Sequence, residues 1–289
     1  MTIEITNGNS MKYLCIYHKN CSDGFGAALA VKQYCDANNF DCEFIAAQHG
    51  DQAPDVSNKN VFIVDFSYSR EVILKLEKAA ESLLVIDHHK TAEEALAGLN
   101  CCVFDMERSG AVLTWEHLLP DRPVPTLLAY IQDRDLWHWQ LPNSKEVSAA
   151  LQTCVMTFDV WEQYLDETKL LDLISKGEAI VEYQNKQIDR ATKSKNVEMI
   201  DIAGYQVPCV NTNSLTSEIG NELAKGQPFS AMYCDSSDKR IFSLRSDVDG
   251  VDVANIAKLF DGGGHFHAAG FTVEKPKISL SLKTTSVTK

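Results

Sequence analysis

A chain of 289 residues with 45% apolar content is long enough to bury a sizeable core and to divide into two domains. Its formal charge of −13, without any visible run of Lys or Arg, argues against a protein that wraps long duplex nucleic acid, because that task needs a basic stripe to displace condensed counterions. Nine cysteines without a Cys-x-x-Cys pair argue against a disulfide framework and for reduced thiols in a cytoplasmic enzyme, and no stretch has the length of a membrane span or the apolar core of a signal peptide.

Residues 1–10 carry no interpretable pattern and are expected to be a loose extension. From there, short apolar strands are predicted near 12–17, 42–46, 61–65 and 83–87, alternating with helices near 24–38 and 69–81. That alternation is the pattern of a parallel sheet covered on both faces. Three of the strands run into chemistry. The first leads to His18, Cys21 and Asp23, the third ends on Asp65, and the fourth ends on Asp87 followed by His88 and His89. Adjacent imidazoles at a strand end point to opposite faces, so the histidine pair alone does not make an ion site. Carboxylates and imidazoles from three strand ends at one sheet edge do suit a divalent ion such as manganese, and a carboxylate can bridge two ions where imidazole cannot. The turn Asp23-Gly24-Phe25-Gly26 lets the backbone approach such a site and lets a helix N-terminus face an anion.

Further along, Arg108-Ser109-Gly110-Ala111 opens a helix running to about 119, with Ser109 placed as its cap. The stretch 124–139 supplies Asp133, Asp135 and then Trp-His-Trp; Trp137 and Trp139 have rings fit to stack a nucleobase, but buried packing is the expected role. A charged helix with one apolar face occupies about 160–194, and an exposed face on it would suit a homodimer. A hairpin around Gly204, a helix near 214–225 and strands near 229–235 and 240–246 follow, leading to Asp261-Gly262-Gly263-Gly264-His265. Three successive glycines remove every Cβ, so backbone N–H groups can approach a phosphate or ribose, and His265 adds a protonatable donor. Arg245, ending its strand, is the matching cation. The polar tail after Pro276 is expected to end in one edge strand.

The ordered set H-K-N-C-S-D-G-F-G-A-A (18–28), I-V-D-F-S (63–67), V-I-D-H-H-K (85–90), I-Q-D-R-D-L-W (131–137) and G-G-G-H-F-H-A-A-G-F (262–271) resembles the DHH/DHHA1 phosphoesterases, which include nano-RNases and RecJ-type exonucleases. The resemblance covers nearly the whole chain in the correct order. It implies an α/β fold with a parallel-sheet DHH catalytic domain over 1–160, a helical connector over 161–195 and a smaller α/β DHHA1 substrate-binding domain over 196–289. By the same resemblance His18 binds a first metal, Asp23 and His88 a second, Asp65 bridges both, and Asp133, chosen over Asp135, completes the ligand set of the second metal. His89 then faces the substrate phosphate, Asp87 orients the histidines from behind, Ser109 lies near the substrate, and Arg245 with Gly262, Gly263, Gly264 and His265 holds a terminal nucleotide.

One departure stands out. The family usually has an acid two positions before the Asp at 23, where this chain has Cys21. A thiolate favours zinc or iron over manganese, so Cys21 is either a ligand that retunes the first metal or a small buried residue. The implied activity is a two-metal phosphodiesterase, Mn2+ foremost with Mg2+, Co2+ or Zn2+ as alternatives, whose ions activate water to cut short oligonucleotides or linear dinucleotides to mononucleotides. Alternatives are a phosphomonoesterase acting on 3′-phosphoadenosine 5′-phosphate, a cyclic-dinucleotide phosphodiesterase, and a nucleotide-binding module with weakened catalysis.

Overall fold

The computed structural model describes residues 12–275, which divide between Gln187 and Ile188 into two compact units. The segment 1–10 and the tail after Pro276 lie outside the described residues.

The first unit is built on five parallel strands, β1 (Lys12–His18), β2 (Asp41–Ala47), β3 (Asn60–Val64), β4 (Ser82–Asp87) and β5 (Cys102–Phe104), in the order β2-β1-β3-β4-β5. Register aligns Ile16 with Ile45 on one side and Ile63 on the other, and Ile63 with Val85. Because side chains alternate along a strand, each run splits between two cores. Leu14, Ile16, Val61, Ile63 and Val85 face the helices α2 (Arg70–Ala79) and α3 (Lys90–Leu96), which contribute Ile73, Leu76 and Leu96. Cys15, Phe62, Val64 and Ile86 face the other layer, whose helix α1 (Ser22–Asn38) is buried over Asp23–Val31 and nearly all small and apolar from Gly24 on. That layer continues with α4 (Gly110–Leu118), α5 (Thr126–Asp135), α6 (Ser144–Leu151), the short α7 (Phe158–Glu162) carrying the buried Trp161, and the start of α8 (Glu167–Ala191). Both faces of the sheet are thus covered, as the near-continuous apolar runs require.

The long charged stretch from 160 resolves into α7 and α8, and Leu170 and Leu173 bury the first turns of α8 while Leu171 and Tyr183 stay exposed. After α5 the chain departs from expectation: Trp137 and Trp139 are both partly exposed rather than buried, and both take left-handed backbone angles, φ 59° and 54°.

The second unit is a six-stranded sheet with β6 (Glu198–Ile202), β7 (Tyr205–Asn211), β8 (Ser230–Ser236), β9 (Lys239–Arg245), β10 (Gly263–Gly264) and β11 (Ala268–Glu274). Their order is β10-β11-β9-β8-β7-β6, antiparallel except between β7 and β8. The β6–β7 turn uses positive φ at Ala203 and Gly204. Helix α9 (Thr216–Ala224) makes the β7–β8 crossover, and α10 (Val253–Lys258) is capped by Asp252, whose carboxylate accepts the Ala254 and Asn255 N–H groups. At six residues α10 is too short to show a helical period in the sequence, and it was not anticipated. No described helix is long and apolar enough to cross a membrane, and all nine cysteines are free thiols.

Candidate metal centre

Parallel strands deliver their last side chains to one edge, and here that edge carries a buried cluster of opposite charges. His88, just past β4, places its Nε2 3.0 Å from Asp65 Oδ1, 3.4 Å from Asp23 Oδ2 and 3.6 Å from Asp135 Oδ2. The second oxygen of Asp65 turns the other way, with His18 Nδ1 3.4 Å from Oδ2. Asp65 therefore offers one oxygen to each of two neighbouring groups, Asp23-Asp65-His88 and His18-Asp65-His89, whose ligand atoms lie within 4.8 Å of one another in each group. Asp65 holds this position with a left-handed φ of 53°, a strained conformation of the kind that folds retain at functional sites.

The backbone is shaped to let these carboxylates in. Asp23, in the first turn of α1, accepts the N–H groups of Gly110 and Ala111 at 2.6 and 3.0 Å, so the amino end of α4 faces a carboxylate. A Cβ on Gly110 would stand 2.5 Å from that of Asp65, and one on Gly24 would stand 2.3 Å from the His18 carbonyl oxygen. Asp87 lies behind the histidines: its Oδ1 is 2.7 Å from His89 Nδ1 and accepts the His88 N–H, and its Oδ2 accepts the Ser67 hydroxyl at 2.6 Å.

These groups titrate far from their ordinary values. Burial, then the charges of Asp65 and Asp135, push the Asp23 carboxyl well up. Against the same burial, the imidazoles of His18 and His88 hold Asp65 well below the usual carboxylate range. Burial also opposes charge on His88, but Asp65, Asp135 and Asp23 raise it well above an ordinary histidine. Burial and the carboxylates of Asp65, Asp135 and Asp23 push the Cys21 thiol well up, and Cys21 is in none of the clusters of candidate metal ligands among the described residues.

The His88 imidazole faces three carboxylates, an unbalanced charge set, and the buried Asp65 Oδ2 makes no hydrogen bond, with the His18 ring 3.4 Å away. Buried charge without compensation is expensive. The oxygen and nitrogen donors match divalent ions of the magnesium-to-zinc range, so the residues fit a metal centre.

Two expectations need correction. Asp133 is not in the cluster: its carboxylate accepts the Gln140 and Leu141 N–H groups at 2.9 and 3.2 Å, closing the loop after α5, and Asp135 is the acid that reaches His88. Two positions apart on a helix put side chains about 200° apart, so only one of these acids can face the site. Ser109 is fully buried and caps α4, accepting the Val112 N–H, which leaves its hydroxyl no role as a substrate contact. Two nearby residues were missed. Ser67 is the donor to Asp87, and His49, just past β2, packs its ring 6.3 Å from that of His18 and 5.1 Å from Phe66. The signal for His49 was its place after a strand of the same sheet.

In the second unit Arg245 ends β9 directly opposite Ala268, whose carbonyl accepts the His265 N–H at 2.8 Å. Gly264 pairs with Ala269 on the other edge of β11, so Arg245 and the loop formed by Gly262, Gly263, Gly264 and His265 flank β11 from its two sides. The Arg245 guanidinium donates to Ser217 Oγ at 2.8 Å and to its neighbour's carbonyl at 2.7 Å.

Set against known proteins, the chain is 32% identical over 285 residues to an uncharacterized protein of Acanthamoeba polyphaga mimivirus, covering 88% of this chain and 66% of that one. It is 25% identical over 297 residues to the oligoribonuclease NrnB of Bacillus subtilis, covering 89% and 72%. The chain thus spans about two thirds of the length of the viral relative. Among solved structures, an exopolyphosphatase-related protein from Bacteroides fragilis superposes with a TM-score of 0.50 at 14% identity, covering 91% of this chain and 86% of that one, a likeness of fold. No protein-family model matches the chain.

Proposed function

We propose that this chain is a DHH/DHHA1-type phosphoesterase, a metal-dependent phosphodiesterase that degrades short oligonucleotides or linear dinucleotides to mononucleotides. The observation that carries this reading is Asp65, a buried carboxylate with one oxygen toward His18 and the other toward His88, Asp23 and Asp135. The relative named as an oligoribonuclease, and an overall charge ill suited to long nucleic acid, support a short substrate.

In this reading His18 and Asp65 hold one divalent ion, and Asp23, Asp65, His88 and Asp135 hold the other. Mn2+ is our first choice. When bound, the ions supply the positive charge that polarises a phosphoryl group and acidifies water. The remaining work belongs to side chains. Asp87 fixes the ring of His89 through Nδ1 and, against burial, raises its affinity for a proton, so that His89 is suited to neutralise a phosphoryl oxygen. Arg245 and the backbone N–H groups of Gly262, Gly263 and Gly264, with His265, are assigned to the terminal nucleotide.

The deciding experiment is Mn2+-dependent turnover of a 5′-labelled RNA ladder of two to twenty-four nucleotides, with linear and cyclic dinucleotides and 3′-phosphoadenosine 5′-phosphate in parallel. Fastest loss of the shortest species, with mononucleotide products, supports the proposal. Equal cleavage of long strands, phosphate release alone, or preference for the cyclic compound would each replace it.

A further inference from the structure

We propose that Trp137 and Trp139, with Lys145 beside them, form a platform that stacks the base of a nucleotide held at the metal centre. The inference rests on the phosphodiesterase reading above and names how that site would recognise its substrate.

The loop between α5 and α6 is built on one residue. The Asp133 carbonyl accepts the His138 and Trp139 N–H groups at 2.8 and 3.3 Å, and its carboxylate accepts those of Gln140 and Leu141 at 2.9 and 3.2 Å. Four bonds onto a buried acid make this a fixed structure rather than a slack connection. Within it, two bulky residues adopt left-handed backbone angles, a conformation that costs free energy at each. A loop that needed only to turn would place glycine or asparagine there.

That strain brings the two indoles together at the surface. Their centroids lie 5.0 Å apart, edge to face at 76°, and the Lys145 ammonium stands 5.7 Å from the Trp139 centroid. Both are partly exposed, whereas the other two tryptophans, Trp115 and Trp161, are 4% and 0% exposed. A core role would have buried them in the same way.

The position follows from the chain. Trp137 is two residues beyond Asp135, whose carboxylate is 3.6 Å from His88 Nε2, and two residues span at most about 7 Å. A base attached to a phosphate at the cluster is within reach of an indole so placed. A π-face with an adjacent ammonium, on a protein whose net charge is −13, is the combination that a nucleotide requires, because every base presents a face to stack and every linkage an anion.

The test uses the full chain and the variants Trp139→Ala, Trp139→Phe and the double variant Trp137→Phe with Trp139→Phe, each checked for an unchanged thermal transition. Kinetics compare 5′-phosphorylated diadenosine RNA with the same compound carrying an abasic ribose. Trp139→Ala should raise KM for the base-bearing dinucleotide by about tenfold or more, leave kcat within about threefold, and leave the abasic substrate unaffected, with Trp139→Phe retaining most of the affinity. Equal losses on both substrates, or no loss on either, would overturn the platform. Binding is read separately: with Mg2+ present, adenosine 5′-monophosphate should quench the exposed indoles of the wild type, and the double variant should lose that quenching. If the wild type hydrolyses neither dinucleotide, the phosphodiesterase reading fails, and the platform stands or falls on the quenching alone; absence of quenching in the wild type refutes it.

Discussion

The acids and imidazole at the centre of the first unit are buried, Asp23 and Asp65 to 1% exposure and His88 to 2%, and they hold one another through side-chain contacts across two strand ends and two helices. Arg245 and His265 in the second unit are partly exposed, and the glycine run that leads to His265 forms the edge strand of its sheet. The two regions differ in how an anion or its counterion is accommodated. Buried side-chain charge has no water to fall back on, so each member of the first cluster depends on the others. A glycine edge offers many equivalent N–H groups, so the loss of one contact there should be graded.

The sharpest way to break this contrast is Asp65→Ala. We expect loss of bound metal and a drop in turnover of about a thousandfold or more, with the circular dichroism spectrum of the wild type. A metal-replete, active variant would remove the first region from the mechanism. Next in size, Asp135→Asn should lower turnover by about a hundredfold with reduced metal content, whereas Asp133→Asn should keep its metal and lose about 1–3 kcal/mol of stability by weakening the acceptor of two loop N–H groups. The opposite pattern, read by metal analysis and denaturant titration, would restore Asp133 as the ligand.

Arg245→Ala addresses the second region and should raise KM about tenfold with little change in kcat. A collapse of kcat instead would show that this unit takes part in the chemical step. Smaller still is the pH response. His88 and Asp23 both take up protons more readily in the fold than in the unfolded chain. The stability that His88 contributes to the metal-free protein is therefore full below about pH 6.5 and is lost as the pH rises through its folded value. Asp23, also raised, moves stability in the same direction from the ordinary carboxylate range upward. A metal must displace these protons, so its affinity should rise with pH by up to about tenfold per unit for each proton released, as calorimetry in two buffers would measure. A flat profile would mean that the cluster is already deprotonated. Smallest is Ser109→Ala, expected to cost about 1 kcal/mol of stability through the lost cap and to leave KM unchanged; a KM effect would return Ser109 to the substrate.

Much of the first unit was legible because its signals are local. An apolar run of four or five residues that stops on Asp or His reads as a buried parallel strand with its chemistry at the carboxyl end, and β1, β3 and β4 follow that pattern to His18, Asp65 and Asp87. The hairpin at Gly204 and the strands around Arg245 were equally plain. The short α10 gave too little period to read, and the exposed state of Trp137 and Trp139 was hidden because a tryptophan carries the same letter in a core and on a surface.

By itself, then, the sequence determined which residues stand at strand ends, a carboxylate at 65 and imidazoles at 18, 88 and 89 among them, and the glycines at 24 and 110 that leave room for His18 and Asp65 respectively. Tertiary structure alone decided between Asp133 and Asp135. Both stand in the last turn of α5, and their spacing turns them to opposite sides of it. The rotation of α5 about its axis is set by how Leu127, Leu128 and Ile131 pack in the core, a constraint distributed over distant residues that no short stretch of sequence records.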